Sequence, residues 1–181
     1  MPAPPPTPLA SFKLPALRSL GELADTSPII IVDTREQEPL TFTHLESRRG
    51  TLMSGDYSVV GLENLFAVER KSIADLASCC VGENRSRLER ECHRLRGFRF
   101  KRLLIVGTEE QIFRAQYHSS VAPKAILATL SAFEVRWDLP VVFCETPEKA
   151  ALQIERWAFY YSREVVEGAN NLLRGCRELF T

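Results

Sequence analysis

Between Gly55 and Asp75 the chain reads GDYSVVGLENLFAVERKSIAD, and no other stretch constrains the fold as tightly. Tyr57 to Val60 (YSVV) has the composition of a strand, Gly61 to Asn64 (GLEN) that of a turn, and Leu65 to Arg70 (LFAVER) that of the returning strand. Folding back across the turn carries Asp56 alongside Glu69, although twelve residues separate them. Side chains two apart on a strand share a face, so Lys71 points the way Glu69 does and Arg70 the opposite way. An acid ahead of one strand and an acid–x–lysine at the end of the next thus meet at one sheet edge. Two carboxylates offer the oxygen ligands that hard cations such as Mg²⁺ or Mn²⁺ prefer. A metal held there would polarise a phosphate and lower the pKa of a bound water. The lysine could orient that water or neutralise the charge of the transition state. The layout is that of a metal-dependent phosphodiesterase.

The surrounding pattern is that of an α/β domain. Ile29 to Val32 reads as a buried strand ending at Asp33, and Thr41-Phe42 as a short extended piece. Ser72 caps a helix running to about Cys80, and a second helix spans roughly Asn84 to Arg96. Lys101 to Gly107 is a buried strand, Thr108 with Gln111 a capping box, Ala122 to Trp137 largely helical, and Pro140 to Cys144 the last strand. Thr146-Pro147 starts a long helix, with Ile154, Trp157, Ala158, Tyr161 and Val165 as its core stripe and Leu152 and Phe159 off it. A final helical segment is expected after Gly168.

The GD pair, the ERK triplet followed after three residues by Asp75, and the upstream VDTRE of Val32 to Glu36 together resemble the nuclease domain of the XPF family. That family includes XPF and Mus-type flap endonucleases and the archaeal nuclease Hef. The resemblance covers roughly Ile29 to Arg163, its first half carrying the specific motifs. It implies a restriction-endonuclease-like, PD-(D/E)XK fold with a central mixed sheet flanked by helices. It also implies dependence on Mg²⁺ or Mn²⁺ and hydrolysis of phosphodiester bonds in branched or irregular duplex DNA, such as flaps, forks and junctions. The expected metal ligands are Asp33, Asp56 and Glu69, with Lys71 assisting the attack of water. Asp33 is otherwise a strand-end turn residue. Arg35 is suited to a phosphate or to pairing with Glu36 or Glu38. Arg70, on the opposite face, is better placed as a brace than as a direct catalyst. Asp75 is either part of the chemistry or a partner of the Ser72 cap.

Formal net charge is zero, which on its face argues against nucleic acid, but the distribution is uneven. Arg85 to Arg102 holds Arg85, Arg87, Arg90, Arg94, Arg96, Arg99, Lys101 and Arg102 against Glu89 and Glu91, an excess of six positive charges. Leu88, Cys92 and Leu95 form the inward seam of this helix. Arg85, Arg87, Arg90, Arg94 and Arg96 are left as DNA-binding candidates, although Arg85 and Glu89 are also spaced for an i,i+4 pair. This helix departs from the commoner family pattern, which tends to place a glutamine here. It looks closer to short prokaryotic or viral versions of the domain. His44, His93 and His118 lack ligand spacing.

At 181 residues one domain is expected, large enough to bury roughly 70% of its unfolded surface. Five cysteines, odd in number and without zinc spacing, point to reduced thiols in a cytoplasmic or nuclear setting. Neither a secretory signal nor a membrane span is apparent. Seven of the eleven prolines fall in the first 28 residues, so residues 1–28 read as a Pro-rich flexible arm, with a short helix over Leu14 to Ala24. Residues 29–167 then form the nuclease domain and residues 168–181 a short helical extension. The tandem helix-hairpin-helix module that follows the nuclease domain in most cellular family members is not visible. DNA binding is therefore expected from the nuclease domain alone, with a partner protein, or within a larger complex. The resemblance also implies a homodimer. A catalytically idle DNA-binding or scaffolding copy of the fold is the main alternative, although such copies usually lose the acids or the lysine. A sequence-specific restriction-type enzyme would share the acid–x–lysine core but not the full motif set.

Overall fold

The computed structural model describes residues 27–178, the last three as helix backbone only. Contacts divide the chain into two units, Ser27–Val165, which holds the whole sheet, and a second formed by Met1–Thr26 with Val166–Thr181. The expected Pro-rich arm and the helix over Leu14 to Ala24 lie outside the described residues.

Six strands form one sheet in the order β2-β1-β3-β4-β5-β6. They are β1 (Ile30–Asp33), β2 (Ser47–Gly50), β3 (Tyr57–Val59), β4 (Phe66–Ser72), β5 (Phe100–Val106) and β6 (Val141–Cys144). The helices are α1 (Ile73–Ser78), α2 (Gly82–Leu95), α3 (Glu109–Phe113), α4 (Pro123–Trp137) and α5 (Pro147–Glu178). The sheet is mixed. β3 runs antiparallel to β1 and β4, whereas β2 is parallel to β1, and β4, β5 and β6 are parallel to one another. This is the expected α/β architecture with a central mixed sheet and flanking helices.

Successive parallel strands joined through helices favour right-handed crossovers. Both crossovers here step in the same direction across the sheet, so α1 to α4 gather over one face. Ala67, Leu103 and Ile105 point into that layer, where they meet Leu76, Leu88, Cys92, Leu95, Ile126 and Phe133. The alternate residues Phe66, Val68 and Leu104 point to the other face and pack on Ala150, Ile154 and Ala158 of α5. Being covered on both sides is what makes β4 and β5 read as continuous apolar runs. Gly107 ends β5 where any side chain would strike Ile73, a Cβ there lying 2.5 Å from Cγ1 of Ile73. The close seating of α1 on the sheet requires that glycine.

Two expectations are corrected. Thr41-Phe42 is not a strand, and the second strand of the sheet is Ser47–Gly50 at its edge. This segment (SRRG) is polar and mostly exposed, so it carries no alternating apolar signal. Its connection to β1 is held from below by the buried carboxylate of Glu155 in α5. That carboxylate accepts from the backbone N–H groups of Thr43, His44 and Leu45 at 2.8, 2.7 and 3.0 Å. The last helix is also unbroken through Gly168, where a separate segment was expected. A single glycine costs a helix only about 1 kcal/mol and does not by itself end it. Leu88, Cys92 and Leu95 form the buried seam of α2, and Thr108 with Gln111 the capping box of α3, as read from the sequence. Cys79, Cys80, Cys92 and Cys144 are free thiols. Among the described residues no helix is long and apolar enough to cross a membrane.

Candidate active site

The antiparallel pair Tyr57↔Val68 sets the register of the hairpin, and one step outward brings Asp56 opposite Glu69. The Asp56 N–H donates to the Val68 carbonyl at 2.8 Å, and the Arg70 N–H to Asp56 Oδ2 at 2.8 Å. Gly55 enables the approach. It sits at φ +81°, and a Cβ would come within 3.1 Å of the Val68 oxygen.

Glu69 is 5% exposed and faces the helical layer over α1 and α2, while Asp56 is half-buried beside it. Burial first, and then the Asp56 charge, push the Glu69 carboxyl up to about 8. Burial likewise lifts Asp56, to about 6. The two acids titrate as a pair that holds protons far more firmly than free carboxyls do. Lys71, on the same face, forms an ion pair with Glu69 Oε1. Burial works against its charge, but the charge of Glu69 and its hydrogen bond override that and hold it above the ordinary lysine range. It is therefore a permanent ammonium at neutral pH, able to donate hydrogen bonds but not to act as a base.

Asp33, Arg35 and Glu36 frame this centre. Asp33 is fully buried, and its carboxylate accepts four hydrogen bonds: from Arg35 N–H, Nε and Nη2 at 2.8, 2.7 and 3.1 Å, and from Leu52 N–H at 2.7 Å. Burial raises its pKa, but these bonds outweigh burial and leave it below the usual carboxylate range. Arg35 also donates to the Leu52 carbonyl at 2.8 Å, yet two-thirds of its side chain is exposed. Asp56 and Glu69 both lie within its electrostatic reach. On the other side of β4, Arg70 grips Glu36 with two bonds of 3.1 Å, both side chains about nine-tenths buried. That is the bracing arrangement its strand position predicts. Asp75 is exposed and bonded to the Ser72 hydroxyl at 2.7 Å, while its own N–H donates to Ser72 Oγ at 3.1 Å. This is the cap-partner geometry.

The arginine-rich helix divides in two. Arg85 pairs with Glu89 and Arg87 with Glu91 along the helix, at 3.1 and 3.2 Å. Arg90 and Arg96 are exposed, and Arg94 reaches across to the Ser54 hydroxyl at 3.1 Å, two residues before Asp56. Arg90, His93 and Arg94 line an open groove with Ser86 and Glu89. Lys101 is taken up by Asp138 at 3.0 Å, and Arg102 stacks on Phe100 with its guanidinium 4.3 Å from the ring centre. Sequence reasoning missed Glu91 as a neighbour of the site: it stands 3.7 Å from the Lys71 ammonium. A signal existed. Glu91 follows Leu88 by three residues and precedes Leu95 by four, which puts it on the buried flank of the helix.

The raised pair has a consequence for stability. An acid whose pKa is higher in the fold than in the open chain favours the fold while protonated. That advantage is complete below the unfolded value, roughly 4.3 for Glu, and is lost as pH climbs to the folded value, about 8 for Glu69. Asp33, Glu36 and Glu155, held low, lose their contribution only in acid. In chelator, the melting temperature should therefore fall from pH 5 to pH 8, and Glu69→Gln should flatten that fall. A slope unchanged in the variant would show that the pair ionises normally.

The family model described as the ERCC4 domain matches residues 32–156. Among solved structures, XPF from Aeropyrum pernix superposes with a TM-score of 0.59 at 21% identity, over 72% of this chain and 60% of that one. XPF from Aeropyrum pernix in complex with DNA gives 0.58 at 19%, over 76% and 66%. This chain thus spans less than two thirds of either. No curated protein sequence matches the chain. The structural likeness establishes the XPF nuclease fold, which is restriction-endonuclease-like. With the family model matching well over half of its residues, the chain belongs to the ERCC4-domain family.

Proposed function

We propose that this chain is a divalent-metal-dependent DNA endonuclease that cuts branched or irregular duplex DNA, such as flaps, forks and junctions. The observation that carries this reading is the carboxylate pair of half-buried Asp56 and buried Glu69, with the Lys71 ammonium on Glu69. Two neighbouring acids that retain protons, through burial first and for Glu69 also through the Asp56 charge, form a site short of positive charge, and a divalent cation fits it. Asp56 and Glu69 are the residues that would hold Mg²⁺ or Mn²⁺. Bound there, the ion supplies polarisation of the scissile phosphate and acidification of a water. Lys71 presents its ammonium to the phosphate oxygens as charge develops on them. Asp33, expected among the ligands, has its oxygens committed to Arg35 and Leu52, so its part is to fix Arg35 and the loop ahead of Asp56. Arg35, largely exposed although its Nε and Nη2 are held by Asp33 and the Leu52 carbonyl, can turn the rest of its guanidinium to a flanking phosphate. Glu36 and Arg70 hold β4 rigid beneath the site, and Asp75 secures the start of α1.

DNA reaches the site across α2, through Arg90, Arg94 and Arg96, whereas Arg85 and Arg87 are partly neutralised by their glutamates. Replacing Arg90, Arg94 and Arg96 together with Gln should weaken binding to every DNA shape alike. It should also flatten the salt dependence, by up to roughly 0.9 in slope for each lost contact. Replacing Arg85 and Arg87 should change the slope less. Binding measured in EDTA at several salt concentrations decides this, and an unchanged slope in the triple variant would place the DNA path elsewhere. A homodimer belongs to the same reading, supported by Phe159 and Tyr160, which stand exposed on α5. So does a protein partner supplying further DNA contacts. The direct test is incubation with labelled flap, fork, four-way and plain duplex DNA in Mg²⁺, Mn²⁺ or EDTA. Cleavage of branched forms in metal alone is expected. Firm binding without cleavage in any metal would favour the idle, scaffolding copy.

A further inference from the structure

Lys71 lies between two carboxylates. Glu69, its neighbour along β4, holds the ammonium through Oε1. Glu91, from α2, offers Oε2 at 3.7 Å, while its other oxygen accepts from Arg87 at 3.2 Å. Both Lys71 and Glu91 side chains are more than four-fifths buried. Glu91 therefore contributes a second negative charge to the helical wall of the site, not to its solvent side. Its neighbour Cys92 is packed closely enough on the same wall that its thiol is pushed up to about 12, by burial first and by Glu69 next.

This arrangement resolves a conflict. If Glu69 is to hold a divalent cation, it must do so while its Oε1 accepts from the Lys71 ammonium. Two cations a few ångströms apart in a poorly solvated site repel strongly. The ammonium must move without leaving the reacting phosphate, and Glu91 is the acceptor within reach. We propose that Glu91 is a positioning residue that takes over the Lys71 ammonium when Glu69 turns to metal. It thereby frees Glu69 and keeps Lys71 charged and near the scissile phosphate. The inference rests on the metal-dependent reading above and adds to it a role for α2 that is distinct from phosphate binding. Without Glu91 the lysine remains on Glu69 and competes with the metal.

The test is a cycle of four proteins, unaltered, Glu91→Gln, Lys71→Ala and the double variant. Ca²⁺ binding is measured by calorimetry at pH 8 without DNA, and Glu91→Asp serves as the carboxylate-retaining control. Glu91→Gln should weaken Ca²⁺ binding roughly tenfold. In the Lys71→Ala background the same change should have no effect, because the competing ammonium is gone. Glu91→Asp should recover most of the affinity. In cleavage assays, Glu91→Gln should lower kcat and leave the KM for DNA near its original value. Unchanged Ca²⁺ affinity in Glu91→Gln would overturn the inference and leave the nuclease reading intact. Equal weakening in both backgrounds would also overturn it, since Glu91 would then be a ligand itself. Absence of Ca²⁺ binding by the unaltered protein would overturn the metal-dependent reading and this inference together.

Discussion

Asp56→Asn should abolish cleavage, leave DNA binding near its original strength and make the protein more stable near pH 8. The substitution preserves shape, and the amide oxygen can still accept from the Arg70 N–H that now bonds Asp56 Oδ2 at 2.8 Å. What it removes is one of two charges that the proposed metal would need. The metal-free fold bears a cost for facing these acids to each other, since Asp56 is among the causes that raise Glu69. Removing one acid removes that cost above the pair's raised pKa, where both would otherwise be ionised. Loss of function joined to gain of stability is the mark of a residue kept for chemistry. Cleavage rate, DNA affinity in EDTA and melting temperature at pH 8 test it together. Full activity in Mg²⁺ would sink the assignment. Loss of activity with a lowered melting temperature would instead make Asp56 a structural acid.

Lys71→Ala should slow single-turnover cleavage by roughly 10²–10³, the usual cost of deleting one electrostatic stabiliser. The fold should survive. Removing a buried cation normally strands its partner, but Glu69 already retains protons up to about pH 8 and can stay neutral when the ammonium is gone. Lys71→Arg should restore little, because a planar guanidinium does not replace a compact ammonium between two carboxylates. Single-turnover rates beside thermal melts separate the readings. A variant that no longer shows a cooperative transition would make the lysine structural.

The hairpin was legible because its signals are local. A glycine turn, a β-branched strand on one side and an apolar one on the other fix which residues face each other. From that register Asp56, Glu69 and Lys71 follow by counting. The opposite bearing of Arg70 follows from the same count, and Glu36 is its observed partner. Less legible was everything set by which element covers which face. Glu91 meets Lys71 only because the β4–β5 crossover places α2 over the Glu69 side of the sheet. The same uncertainty left Arg90, Arg94 and Arg96 grouped with Lys101 and Arg102. Those two are consumed by Asp138 and by the rings of Phe100 and Trp157. Strand β2 was invisible for another reason. It contributes backbone pairing at an edge and almost no apolar surface, so pattern reading had nothing to detect.

The alternation of β4 makes alignment a functional quantity in its own right. Glu69 and Lys71 belong to one compartment and Arg70 to the other, so a slip of a single residue would, according to its direction, either present the Arg70 guanidinium where the acid stands or bury the Glu69 carboxylate beside Glu36. Seven consecutive pairings with β5, from Phe66↔Phe100 to Ser72↔Val106, guard against that slip, whereas β3 supplies one. The neighbouring strand β5, which contributes no acid to the site, therefore acts as the ruler against which β4 is measured. Changes along Phe100–Val106 that loosen the pairing without unfolding the chain should abolish the proposed cleavage while leaving every one of the candidate residues in the sequence.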